Sequence, residues 1–187
     1  MNLFKNFNVE VFKGKKPPGD KSITTFKELN KLKNLAINKK FVEDNDNILD
    51  VFKNIFEKYN LEYPKELFKK LHNDAVPVLR GLKNYHNRTR PKELAQSMGM
   101  DIERVDLKSA KTKAYPSGHS AQSMLLAKVA SYLHPRYKKE FMKAAENVSN
   151  SRLIARVHYP SDSKLGIEIG ESMYNYIKNN KNGILHE

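Results

Sequence analysis

Between Ile48 and Tyr59 the apolar side chains Ile48, Val51, Phe52, Ile55, Phe56 and Tyr59 recur at i, i+3, i+4, i+7, i+8 and i+11. Only a helix of 3.6 residues per turn gathers such a set onto one face. Asp44 to Asn47 supply candidate N-caps just before it. The helical pattern starts at about Thr24. Pro64 suits a first helical position and is followed by Leu67, Phe68 and Leu71. A further helix is predicted from Pro77, behind the candidate caps Asn73 and Asp74, carrying Val78, Leu79, Leu82 and Tyr85. Ala121, Met124, Leu125, Ala127, Val129 and Leu133 mark a helix over 117–133, and another follows over 136–148. A short helical piece over 149–157 is followed by a last helix over 161–178, with Leu165, Ile169, Met173, Tyr176 and Ile177 facing inward. Residues 1–20 stand apart as an arm. There Phe7, Val9 and Val11 alternate with polar residues as in a short strand, and Lys15 to Asp20 read as a loop. The expected fold is all-α, a compact helical bundle with a short non-helical N-terminal arm. With no repeat or linker, 1–187 is read as one domain.

Composition narrows what such a bundle can do. The chain has no Cys, which excludes thiolate nucleophiles, disulfides and Cys-ligated metal sites. No apolar stretch approaches the ~20 residues that cross a bilayer, and no secretory signal is visible, so a cytoplasmic location is expected. There are 34 Lys+Arg against 21 Asp+Glu, a formal net charge of +13. That excess favours anionic partners: nucleic acid, membrane surfaces or phosphorylated small molecules.

Three stretches carry chemistry rather than packing. The first is Lys83-Asn-Tyr-His-Asn-Arg-Thr-Arg90-Pro91, in which Lys83 and Arg90 lie two helical turns apart on one face and Pro91 ends the helix. The second is Tyr115-Pro116-Ser117-Gly118-His119, leading into the 117–133 helix. A helix start offers unpaired N–H groups and a positive dipole end to an anion; Gly118 admits close approach and Ser117 adds a hydroxyl. The third is Ser151-Arg152 followed by His158 and Asp162. Ser151 and His158 are read as sharing a helical face, and Asp162, in the first turn of the final helix, can hold one nitrogen of His158 and leave the other as a free lone pair. Each stretch alone has a bland reading: a solvated basic face, a Ser N-cap, a structural His–Asp contact. Together, three cations, a helix N-terminus and two histidines are what phosphoryl transfer without a metal requires.

In order and spacing, these stretches resemble the three-part signature of the phosphatidic acid phosphatase type 2 superfamily, which includes lipid phosphatases, bacterial class A acid phosphatases and vanadium-dependent haloperoxidases. The resemblance spans residues 83–162; residues 1–80 match no motif. It implies the helical bundle of that superfamily, with Lys83, Arg90, Arg152, Ser117 and the Gly118 backbone gripping phosphate. It further implies His158 as the nucleophile that forms a phosphohistidine, Asp162 as its orienting carboxylate and His119 as general acid. Ser151 takes a supporting role.

Two departures qualify the likeness. The six transmembrane spans of the lipid phosphatases are absent, and Lys92 follows Pro91 where soluble acid phosphatases usually have an aromatic residue. Residues 97–115 are read as a charged surface loop, with a lid as the alternative. The function expected is a soluble phosphoric monoester hydrolase that uses no metal or other cofactor and is inhibited by vanadate. Its partner would be a phosphorylated small-molecule or lipid substrate, and a homodimer is compatible with the N-terminal arm. The alternatives are a haloperoxidase with vanadate as cofactor in the same anion site, a basic nucleic-acid-binding protein, and an inactive phosphate binder. Scattered charge and the lack of a nucleic-acid-binding motif count against stable nucleic-acid binding.

Overall fold

A helix apolar on every side belongs in the middle of a bundle, and Gly118–Leu133 is such a helix: Ala121, Leu125, Leu126, Ala127, Val129 and Ala130 are all fully buried. The computed structural model describes residues 2–179; Met1 and 180–187, the two ends of the expected single domain, lie outside the described residues. In chain order the helices are α1 (Glu10–Lys13), α2 (Ile23–Asn34), α3 (Lys39–Asp44), α4 (Ile48–Lys58), α5 (Lys65–His86), α6 (Pro91–Ser97), α7 (Gly118–Leu133), α8 (Lys138–Ile154) and α9 (Pro160–Asn179). Single 3-10 turns lie at Lys108–Ala110 and Pro135–Tyr137, and no strand occurs among the described residues. The all-α expectation is met.

The central helix α7 packs more extensively on α8 and α9 than any other two elements pack on each other. Glycine makes the α7–α9 approach that close. A Cβ on Gly166 would stand 2.5 Å from the Ser117 carbonyl oxygen, and one on Gly170 would run into the Ala121 carbonyl oxygen. Phe52 and Phe56 of α4 meet Phe68 and Phe141 with ring centroids 5.2–6.4 Å apart, and each such buried ring contributes roughly 2 kcal/mol. A second cluster joins Leu29 and Leu32 of α2 to Leu94, Ile102 and Tyr159. Asn47 caps α4, its side-chain oxygen accepting from the Asp50 N–H, within the cap range read from the sequence.

Several local readings are corrected. The arm is not wholly non-helical: the Phe7–Val11 alternation forms no strand, and α1 makes one helical turn there. No strand that could pair with it occurs among the described residues. Instead Phe4 and Phe12 are buried, Phe7 stacks on Phe12, and the Asp74 carboxylate accepts from the Leu3 N–H, so the arm packs on its own domain. Helix α5 runs unbroken through Pro77 rather than starting there. The missing N–H is tolerated because Pro77 is exposed, and Asp74 anchors the arm instead of capping a helix. The pieces 136–148 and 149–157 are largely one helix, α8, which ends at Ile154.

Candidate active site

Helix ends deliver the candidate residues. Helix α5 stops at His86, with Asn87 in the left-handed region at φ 50°, a conformation Asn tolerates. Pro91 then starts α6, with Arg90 as its extended N-cap residue. Lys83 and Arg90 therefore converge through a chain reversal, not by sharing a helical face as the spacing implied. Likewise His158 lies beyond the end of α8, so it does not share a face with Ser151. Between them Arg156 adopts φ 57°, and its guanidinium donates to the carbonyl oxygens of Glu103, Lys33 and Leu35, which fixes that turn.

Lys83, Arg90, Gly118, His119 and His158 line one pocket of about 170 Å³. At its floor, His158 Nδ1 lies 3.1 Å from the Asp162 carboxylate, and Arg90 Nη1 donates to Nε2 across 3.1 Å. These partners set the tautomer: the proton sits on Nδ1 and the lone pair on Nε2. Burial, reinforced by the charges of Arg90 and Lys83, holds the His158 pKa well below its usual value, so the ring is neutral. Arg90 is fixed by donating Nε to the Thr112 carbonyl at 2.7 Å and Nη1 to the Val157 carbonyl at 2.6 Å. Lys83 Nζ donates to the Lys113 carbonyl at 2.6 Å. Burial, with Arg90 nearby, brings the Lys83 ammonium down to about 7.

The Asp162 carboxylate belongs to a larger buried network. Its second oxygen accepts from Arg88 Nη1 at 2.6 Å, and Arg88 Nη2 donates to Glu28 at 3.0 Å. The Arg88 guanidinium lies 3.7 Å over the Tyr159 ring. Glu28 in turn accepts from the Ser161 N–H and hydroxyl. Burial pushes the Asp162 carboxyl up to about 6, opposed by the Arg88 charge and the Tyr159 N–H. The Asp162 carbonyl accepts from the Ser117 N–H at 3.0 Å, tying the second motif to the third.

The remaining expected residues stand elsewhere around the pocket. Ser117 is buried and caps α7, accepting from the Ser120 N–H at 3.3 Å, while Gly118 and His119 occupy the first two helical positions. N–H groups there have no intrahelical acceptor. Arg152 is buried but does not line the pocket; its Nη1 donates to Asp46 at 2.7 Å and its Nε to the Ser151 hydroxyl. Asp46 also holds His119, whose Nε2 lies 3.0 Å from the Asp46 carbonyl oxygen and 3.3 Å from its carboxylate. The His119 and Arg152 contacts hold the Asp46 carboxyl well below the usual carboxylate range. Burial pushes the His119 pKa down, and Asp46 opposes that shift. Sequence reading missed Asp46, Arg88 and Glu28. Arg88 was visible inside the first motif, but nothing local marked the other two. Among the described residues, no group of three His, Asp or Glu converges as a metal site would require.

This is an all-helical protein whose neutral, carboxylate-backed histidine faces fixed cations and a helix N-terminus across a small polar pocket. A profile of the PAP2 (phosphatidic acid phosphatase type 2) superfamily matches residues 74–182, more than half of the chain, and the chain belongs to that superfamily. It is also similar to a non-specific acid phosphatase of Salmonella typhi, 35% identical over 88 residues. The match covers 47% of this chain, and the chain spans about a third (35%) of that relative's length. Among the described residues, no helix is long and apolar enough to cross a membrane.

Proposed function

We propose that this chain hydrolyses phosphate monoesters through a phosphohistidine on His158, without a metal ion. The observation that carries this reading is the His158 ring, with Nδ1 on Asp162 and Nε2 in a pocket shared with Lys83, Arg90, Gly118 and His119. Membership of the superfamily and likeness to a relative named as an acid phosphatase support it. In this reading Arg90 turns its Nη1 from Nε2 to the phosphoryl oxygens, the freed Nε2 lone pair attacks phosphorus, and the ester P–O bond breaks in line. His119 gives its proton to the leaving oxygen, and the alcohol departs. The phosphorylated imidazole is cationic, and Asp162 accepts from its Nδ1–H. His119, now neutral, then takes a proton from an attacking water; the N–P bond breaks, and inorganic phosphate leaves with His158 neutral again. Lys83 and Arg90, with the first N–H groups of α7, neutralise the equatorial oxygens, while Arg152 and Ser117 stand behind the pocket and support it, Arg152 through Asp46 and Ser117 as the cap of α7. Asp46 keeps Arg152 and His119 aligned before substrate arrives.

The test is turnover of a generic aryl phosphate in EDTA, with and without orthovanadate, by wild type and His158→Ala. Quenching with alkaline detergent and labelled substrate traps the intermediate in parallel. Expected are metal-independent turnover, inhibition by vanadate, and an acid-labile, base-stable label on wild type only. Activity that needs a divalent metal, or that survives in His158→Ala, overturns the mechanism. Bromide oxidation by peroxide after vanadate loading would instead move the chain to the haloperoxidase branch.

A further inference from the structure

The pocket around His158, at about 170 Å³, falls below the roughly 300 Å³ at which cavities begin to enclose a small organic ligand. It has room for a phosphoryl group but not for the body of an ester. A second cavity, of about 790 Å³, adjoins it and shares Arg90 and Thr112 as a common wall. Its basic side chains are Arg90, Arg104, Lys108, Lys111 and Lys113. Its two carboxylates are already engaged, since Arg104 donates to Glu93 at 2.6 Å and to Asp106 at 3.2 Å. Lys108, Lys111 and Lys113 are exposed, and none has a carboxylate partner among the described residues. The backbone that carries them is not loose. The Thr112 and Lys113 carbonyls accept from Arg90 and Lys83, the same side chains that face the His158 pocket. The 97–115 connection is thus hydrogen-bonded to the phosphate pocket and directs unpaired positive charge into the space beside it.

We infer that this cavity is the leaving-group subsite, and that the favoured substrates are phosphomonoesters whose leaving group carries a second phosphate or an equivalent anionic group of its own. The chemistry rests on the phosphatase reading, but the preference for a second anion is readable by binding alone. An unpartnered cationic cleft raises the local concentration of a polyanion about tenfold or more over that of a ligand lacking the extra charge.

Two readouts keep the inferences apart. In the first, adenosine 5′-monophosphate and adenosine 3′,5′-bisphosphate are titrated calorimetrically into the His158→Ala protein, alone and combined with Lys108→Ser, Lys111→Ser and Lys113→Ser. The bisphosphate is expected to bind about tenfold more tightly at about 50 mM salt. That preference should shrink to less than about threefold in the lysine variant, and likewise at about 500 mM salt, where screening is strong. In the second, the ratio of the two kcat/KM values is measured with the His158 protein, so a general loss of activity does not move the readout. Equal affinity for the two ligands, or a preference that the lysine variant leaves intact, overturns the subsite. If the lysine variant fails to fold, the salt dependence of the parent protein decides. A binding preference without turnover of either ligand keeps the subsite and removes the phosphatase reading; turnover without preference does the reverse.

Discussion

The two histidines of the pocket are held in opposite ways. His158 is buried, its Nδ1 on a carboxylate that is itself fully buried and braced by Arg88, Glu28 and Tyr159. His119 is held by Asp46, a residue on the short link between α3 and α4 whose side chain is one-third exposed. In the proposed mechanism the difference matches the two tasks. A nucleophile must stay neutral in one tautomer, which burial and a fixed partner enforce. A general acid must gain and lose a proton in every cycle, which a partner near solvent permits.

Breaking the inner brace has the largest expected effect. Arg88→Met leaves Glu28 and Asp162 as buried carboxylates without their counter-charge, at a cost of about 3–5 kcal/mol. Urea unfolding measures that loss, and pairing the substitution with Glu28→Gln should recover part of it. Without Arg88 the Asp162 carboxyl rises further above about 6, so the acid limb of kcat/KM moves to higher pH. An acid limb left in place would show that Arg88 is structural only.

The outer brace is worth less. Asp46→Asn removes the charge that opposes the burial of protonated His119. It should lower kcat by about tenfold, less than the roughly 10²–10⁴-fold that general acid–base catalysis contributes because His119 itself is retained, with little change in KM. A fall confined to KM would instead assign Asp46 to substrate binding.

The smallest effect sharpens the comparison by pH alone. Below about 6, Asp162 takes up a proton and His158 loses its charged partner; as pH rises the acid His119, which burial holds below its ordinary value, loses its proton, and above about 7 Lys83 does so too. In the proposed mechanism the kcat/KM profile is therefore a narrow bell whose alkaline limb is set first by His119. Lys83→Arg, which stays charged, should leave that limb in place. A limb that rises by more than one pH unit in that variant belongs to Lys83 instead.

Much of this could be read in one dimension. Apolar periodicity located α4, α7 and α9, and the caps Asn47 and Ser117 were legible because a helix start is a local event. The His158–Asp162 pair was legible for the same reason, since four residues and one helix start separate the partners. Readings failed where a distant contact overrode a local signal. Pro77 did not break α5, because its place on the solvent face tolerates the lost hydrogen bond. The Phe7–Val11 alternation made no strand, because Phe4, Phe7 and Phe12 found an aromatic cluster rather than a strand to pair with.

What the sequence determined by itself is the inventory: a helical chain, free of Cys, carrying two histidines and three cations in the order of one superfamily. What only the tertiary structure decided is which charges face one another. Asp46 meets Arg152 across 106 residues, Glu28 meets Arg88 across 60, and Lys108, Lys111 and Lys113 of the 97–115 connection end up beside the His158 pocket with no carboxylate partner among the described residues. Periodicity cannot report such pairings, because a buried charge is matched by whatever the folded chain brings within hydrogen-bond reach. The +13 excess read at the start as a general affinity for anions. Folding divides the site's share of it into buried cations locked in place and exposed ones still seeking a counter-charge.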